Sequence, residues 1–152
     1  MTFLELTSGF LMLTAMVGQG TTSAQSTSPT ILVDRNTAVV GRLVDQSKRE
    51  EVSQYVKEYF SEAPIMAEVA RCESTYRHLN LSGDVLRGNV NTADVGVMQI
   101  NERYHGKQAS DLGVDIHTLE GNLAYAKYLY EKEGLRPWRS SAKCWNQSLS
   151  LN

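Results

Sequence analysis

The sequence predicts a mainly helical α+β domain, and two observations carry that prediction. Apolar residues recur at helical spacing from Val52 to Phe60, from Ile65 to Cys72 and from Leu119 to Tyr130. Between the second and third of these runs, residues 78–101 lose that period and fill with turn signals, Ser82-Gly83 and Gly88-Asn89. At 152 residues the chain is long enough for one domain with a real core.

Each element has a local cause. Ser47-Lys48-Arg49-Glu50 has the form of a capping box, and Val52, Tyr55, Val56, Tyr59 and Phe60 follow at helical spacing. A first helix is expected from there to about Ser61. Pro64 suits the first turn of a second helix, where its missing N–H costs nothing. In that helix Ile65, Val69 and Cys72 share one side, with Met66, Ala70 and Glu73 beside them. From His78 to Asn101, Val85, Leu86 and Val90 alternate weakly with polar residues, so an irregular antiparallel hairpin bearing Asp94 is expected. Glu102 to Ala109 reads as a short helix. Thr118 caps a long one that turns Leu119, Leu123, Ala126, Leu129 and Tyr130 inward, and Gly134 ends it three residues before Pro137. Trp138 and Trp145 read as packing anchors of the tail. Helices around a deep groove, with a small β flap beside it, are the expected result.

The residues ahead of this domain differ in kind. Phe10 to Val17 is a short apolar run, followed by small and polar residues ending Thr22-Ser23-Ala24-Gln25. Residues 1–24 are therefore expected as a signal peptide or a retained membrane anchor, although Glu5 stands where positive charge is usual. Residues 25–46 are expected as a linker, with Val39, Val40, Leu43 and Val44 showing a weak helical period, and the domain proper as 47–152. Cys72 and Cys144 fit a single disulfide in an exported chain, in the cell envelope, periplasm or extracellular space; two buried free thiols are the alternative. With 15 basic and 17 acidic side chains there is no electrostatic footprint for nucleic acid. His78, His105 and His117 lack metal-ligand spacing and read as surface or loop residues, so no metal or organic cofactor is expected.

Glu73 is the chemical focus. A carboxyl late in a helix faces the negative pole of the peptide dipoles, and apolar neighbours also disfavour its ionised form. A carboxylic acid that keeps its proton near neutral pH is what glycosidic cleavage requires, because the leaving oxygen must be protonated. Taken alone, such a residue is as readily solvated surface. Further on, Gly96 permits close backbone approach to a ligand, and Gln99 offers a donor and an acceptor suited to sugar hydroxyl and acetamido groups; a buried strand is the competing reading.

Cys72-Glu73-Ser74, then Asp94-Val95-Gly96-Val97-Met98-Gln99-Ile100-Asn101, then Glu120-Gly121-Asn122-Leu123-Ala124-Tyr125-Ala126-Lys127-Tyr128-Leu129 resemble the lysozyme-like superfamily, most closely bacterial soluble lytic transglycosylase domains. The resemblance spans residues 60–145. It implies a lysozyme-like fold, peptidoglycan glycan strands as partner, a monomer, and cleavage of the β-1,4 bond between N-acetylmuramic acid and N-acetylglucosamine. Glu73 would be acid and then base. Ser74 matches the residue that supports the acid, and Met98 and Gln99 match cleft positions. Gly96, Asn101 and Tyr125 fall in the same motifs and are carried over as substrate contacts.

Two departures stand out. The late Ala-Tyr-Asn motif of many such domains is absent, and Pro137-Trp138 and Cys144-Trp145 occupy that region, leaving the partner of Glu73 unassigned. Asp94 lies outside the basic pattern; Thr92-Ala93-Asp94-Val95-Gly96 instead resembles the segment with the second carboxylate of chicken-type lysozymes. If Asp94 faces Glu73, hydrolysis by two carboxylates is open. If it points into the flap or caps a turn, the single-acid mechanism stands. A non-catalytic glycan-binding module is the reading from a different class.

Overall fold

The computed structural model describes residues 35–149. The expected signal or anchor, 1–24, and the start of the expected linker lie outside them. The described residues form five α-helices, one 3-10 helix and a two-stranded antiparallel sheet, an α+β arrangement dominated by helix. Among them no helix is long and apolar enough to cross a membrane.

Helix α1 runs Arg35–Tyr59. It begins well ahead of the Ser47 capping-box position, so the stretch from 35 to 46 expected as linker is helical. Ser47 and Glu50 sit inside that helix. An Asp45–Arg49 ion pair, 2.6 Å long at i,i+4, spans the point where the helix was expected to start. The apolar residues of the early turns do not join the core: Val39, Val40, Leu43 and Val44 are all exposed. Further along α1, Val56 and Phe60, just past its end, are buried, while Tyr55 remains exposed.

Helix α2, Pro64–Ser74, opens with Pro64 in its first turn and buries Met66, Val69 and Ala70. The expected hairpin is present in reduced form. Strands β1, Asp94–Val95, and β2, Ile100–Asn101, pair Asp94 with Asn101 and Val95 with Ile100. Single bridges Leu79–Val85 and Arg87–Val95 extend it. Helix α3, Glu102–Asp111, is capped by the Asn101 side chain, which accepts from the backbone N–H groups of Arg103 and Tyr104. Helix α4, Leu119–Glu133, is capped by Thr118 accepting from Gly121 N and is followed by Gly134 at φ 61°. The 3-10 helix Arg136–Ser141 and helix α5, Ala142–Leu149, bring the tail back to α2, where Cys72 and Cys144 form a disulfide.

One core joins these pieces: Val56, Met66, Val69, Val95, Met98, Leu123, Tyr125, Leu129, Trp138 and Trp145 belong to a single buried cluster. At its centre is a polar group, Asn122, with no solvent exposure. Its Nδ2 donates to the carbonyls of Val95 (3.1 Å) and Ile116 (2.8 Å), and its Oδ1 accepts from Met98 N (2.8 Å). The side chain thus clips the 95–98 turn onto α4. Replacing Asn122 with Ala strands a buried N–H and two carbonyls, each costing about 1–3 kcal/mol, with relaxation and water recovering part. We expect a net loss of about 3 kcal/mol, read as a lower urea midpoint at unchanged slope. A midpoint like that of wild type would show that the turn does not depend on this clip.

Candidate functional site

Glu73 occupies the last turn of α2, and the chain leaves that helix abruptly. Thr75 and Tyr76 both take left-handed backbone conformations, at φ 54° and 59°. Non-glycine residues pay a steric penalty there, the more so a β-branched threonine, and two in succession are stored strain. Ser74 holds the exit together: its Oγ donates to the Ala70 carbonyl at 3.0 Å and accepts from Arg77 N at 3.2 Å. Ser74 is buried and serves the helix end; its hydroxyl bonds backbone and not the Glu73 carboxyl.

The hydroxyl that reaches Glu73 comes from the opposite end of the domain. Ser141 Oγ lies 2.6 Å from Glu73 Oε1 and donates to it. The same oxygen is 3.1 Å from the Trp138 carbonyl, which also accepts from Trp145 Nε1 at 3.1 Å. Trp138 in turn donates its Nε1–H to the Met98 carbonyl at 3.0 Å. The tail, the end of α2 and the flap are therefore one hydrogen-bonded unit, fastened covalently one residue before Glu73 and three after Ser141.

Electrostatics follow from this placement. Burial raises the half-buried Glu73 carboxyl above its ordinary value; the Ser141 hydrogen bond opposes the rise, and the charge of Asp94 adds to it. Such a group keeps a proton at a pH where a solvated carboxyl has lost it. It can give that proton to a ligand and take one back.

Asp94 sits in β1, and its Oδ1 accepts from Asn91 Nδ2 at 3.2 Å and Asn101 Nδ2 at 2.6 Å. The flap thus fixes Asp94 internally, while its charge is still felt at Glu73. Asn101, expected as a ligand contact, uses both ends of its amide: Oδ1 caps α3 and Nδ2 holds Asp94. Gly96 has φ 71°, and a Cβ there would come within 2.6 Å of Asn122 Nδ2 and 2.9 Å of His78 Cε1, so only glycine fits this turn. Gln99, at φ 49°, turns its Nε2 onto the Gly96 carbonyl at 2.8 Å, while its side-chain oxygen lies close to Gly88. The Met98 side chain is wholly buried in the core and contributes its backbone to the unit. Tyr125 is buried too, with its hydroxyl donating to Gln108 Oε1 at 2.7 Å. The Met98 and Tyr125 side chains therefore belong to the core, and the groups linked to Glu73 are the Ser141 hydroxyl and the charge of Asp94.

Three placements were not legible in the sequence. His78, expected at the surface or in a loop, is a loop residue but a buried one: its Nδ1 accepts from Val97 N at 3.3 Å and its Nε2 faces the His117 carbonyl at 2.9 Å, which fixes a neutral ring, and burial lowers its proton affinity. Ser141 carried no signal beyond being a hydroxyl near Cys144. The large cavity is also elsewhere than expected. About 710 Å³ in volume, it is lined by Val44, Val52, Tyr76, Leu79, Leu81 and Leu119, between the early turns of α1 and the 76–81 loop; Glu73 does not line it. The N-terminal extension of α1 forms one wall of that cavity. Among the described residues no group of three His, Cys, Asp or Glu is placed to hold a metal ion. No family model matches the chain, and no curated protein or solved structure matches it.

Proposed function

We propose that the chain is an exported peptidoglycan-cleaving muramidase of the lytic transglycosylase type on a lysozyme-like domain, with Glu73 as its single acid and base. One observation supports this above the others: a half-buried carboxyl with raised proton affinity, held by a hydroxyl at 2.6 Å. In this reading Glu73 gives its proton to the glycosidic oxygen as the bond to C1 of the muramic acid breaks. The substrate's own acetamido oxygen attacks C1 as that bond breaks. The Glu73 carboxylate then removes the proton of the C6 hydroxyl, whose oxygen takes C1 from the acetamido group and closes the 1,6-anhydro ring. The proton returns to Glu73, and no external nucleophile is consumed. The disulfide fits an oxidising compartment.

A second reading, hydrolysis by Glu73 with Asp94, is favoured by one fact: the Asp94 charge contributes to the state of Glu73. The amide clamp on Asp94 Oδ1 weighs the other way, since it occupies that carboxylate within the flap. Mass analysis of muropeptides released from purified sacculi separates the two. Transglycosylation gives products lighter by one water than hydrolysis. We expect the lighter, anhydro products; hydrated ends would install Asp94 as the second carboxylate. Binding of sacculi with no release would leave a glycan-binding module and end the enzymatic reading.

A further inference from the structure

We propose that Ser141 is the positioning residue of Glu73, its hydroxyl turning between the Glu73 carboxylate and the Trp138 carbonyl as the carboxyl loses and regains its proton. The inference deepens the proposed reaction and rests on it for its role in turnover, but its geometry stands independently. A hydroxyl has one hydrogen and two acceptor lone pairs. Ser141 Oγ has two acceptors within reach without moving, Glu73 Oε1 at 2.6 Å and the Trp138 carbonyl at 3.1 Å. When Glu73 is ionised, the Ser141 hydrogen points to it, a short charge-assisted bond. When Glu73 is protonated, its own O–H is the donor available to a ligand or to Ser141, and the serine hydrogen turns to the carbonyl. That carbonyl accepts from Trp145 Nε1 as well, so it is already an acceptor at this point of the fold.

A residue that must act first as acid and then as base needs a partner satisfied in both states, and this one is. The oxygen is also held in place. Ser141 closes the 3-10 helix whose Trp138 is anchored to Met98, and three residues on, Cys144 is bonded to the neighbour of Glu73. Other groups around Glu73 are accounted for. The charge of Asp94, held within the flap, raises the proton affinity of Glu73. Arg71, on the same helix, pairs with Glu68 at 2.8 Å and places Nη2 3.6 and 3.7 Å from the two disulfide sulfurs. Arg139 and Lys143, on the turn and helix that flank Ser141, are exposed. The arrangement supplies the hydroxyl contact that the missing late tyrosine motif left open in the sequence.

The test is the titration of the Glu73 side-chain carboxyl by carbon NMR in the full chain, its resonance assigned by its loss in Glu73→Gln. Ser141→Ala should move the midpoint upward, because the carboxylate loses its donor, and Ser141→Thr should return it toward wild type. The alkaline limb of kcat/KM on sacculi should move in the same direction as the midpoint. Near-ultraviolet dichroism of Trp138 and Trp145 checks that packing is intact. An unchanged midpoint in folded Ser141→Ala, or a raised one that Thr fails to restore, overturns the proposal. If the midpoints move as expected but wild type releases no muropeptide, Ser141 keeps its role and the transglycosylase reading is what fails.

Discussion

Glu73→Gln is expected to reduce muropeptide release by at least about a thousandfold while leaving glycan binding intact. General acid–base catalysis contributes roughly 10²–10⁴ per proton transfer, and in the proposed reaction one carboxyl performs two. The amide keeps the shape and can still accept from Ser141, so the loss reports the proton and not the packing. A second signature runs the opposite way. The folded-state proton affinity of Glu73 is raised above the unfolded value, so the folded chain binds more protons than the unfolded one between the two. Stability therefore falls as pH rises through that window, and above it the half-buried carboxylate is a cost to the fold. The neutral glutamine removes that cost. Glu73→Gln should melt above wild type at pH 7, the gap closing as pH falls through the ordinary value of 4.5. Higher stability with lost turnover is the pattern of a residue kept for chemistry. Release within tenfold of wild type would dismiss Glu73 as the proton donor, and a lower melting point at pH 7 would deny the burial penalty.

Much of the scaffold was legible because its signals are local. Pro64 and Thr118 mark helix starts by the chemistry of a first turn, and Gly134 marks a stop by its positive φ. The start of α1 was misread because Ser-x-x-Glu also fits a helix interior, and because Val39, Val40, Leu43 and Val44 upstream show only a weak helical period and stay exposed. In the site, Glu73 and Asp94 announced themselves by residue type. Asn122 left one faint sign, a polar residue adjoining the apolar stripe of α4. Ser141 left none. It stands 68 positions from Glu73 and acquires meaning only after Trp138, Trp145 and the disulfide have folded the tail onto α2. The same non-locality hid His78, whose burial depends on the 96–99 turn and the His117 carbonyl meeting around it.

Removing the Cys72–Cys144 bridge should cost about 4 kcal/mol, because it closes a long loop: the two residues are 72 apart in sequence, and the unfolded chain regains that loop's freedom. Domains of this size are stable by about 5–15 kcal/mol, so the Cys72→Ala/Cys144→Ala chain should sit close to its folding limit at 37 °C. Urea titration of this double variant against the oxidised wild type measures the difference, and reduced wild type should follow the variant. The local consequence is as large. With the bridge gone, Ser141 is held over Glu73 by non-covalent packing, chiefly of Trp138 and Trp145, since the covalent tie between the two short segments carrying the pair is lost. At a temperature where the variant is still folded, the Glu73 midpoint should therefore drift upward toward that of Ser141→Ala. Lost stability with an unmoved midpoint would make the bridge a staple of the unfolded chain only. Lost stability with a raised midpoint would make it part of how the carboxyl is held, which is the outcome the geometry favours: the bond ties the last turn of α2, which carries Glu73, to the start of α5 just after Ser141.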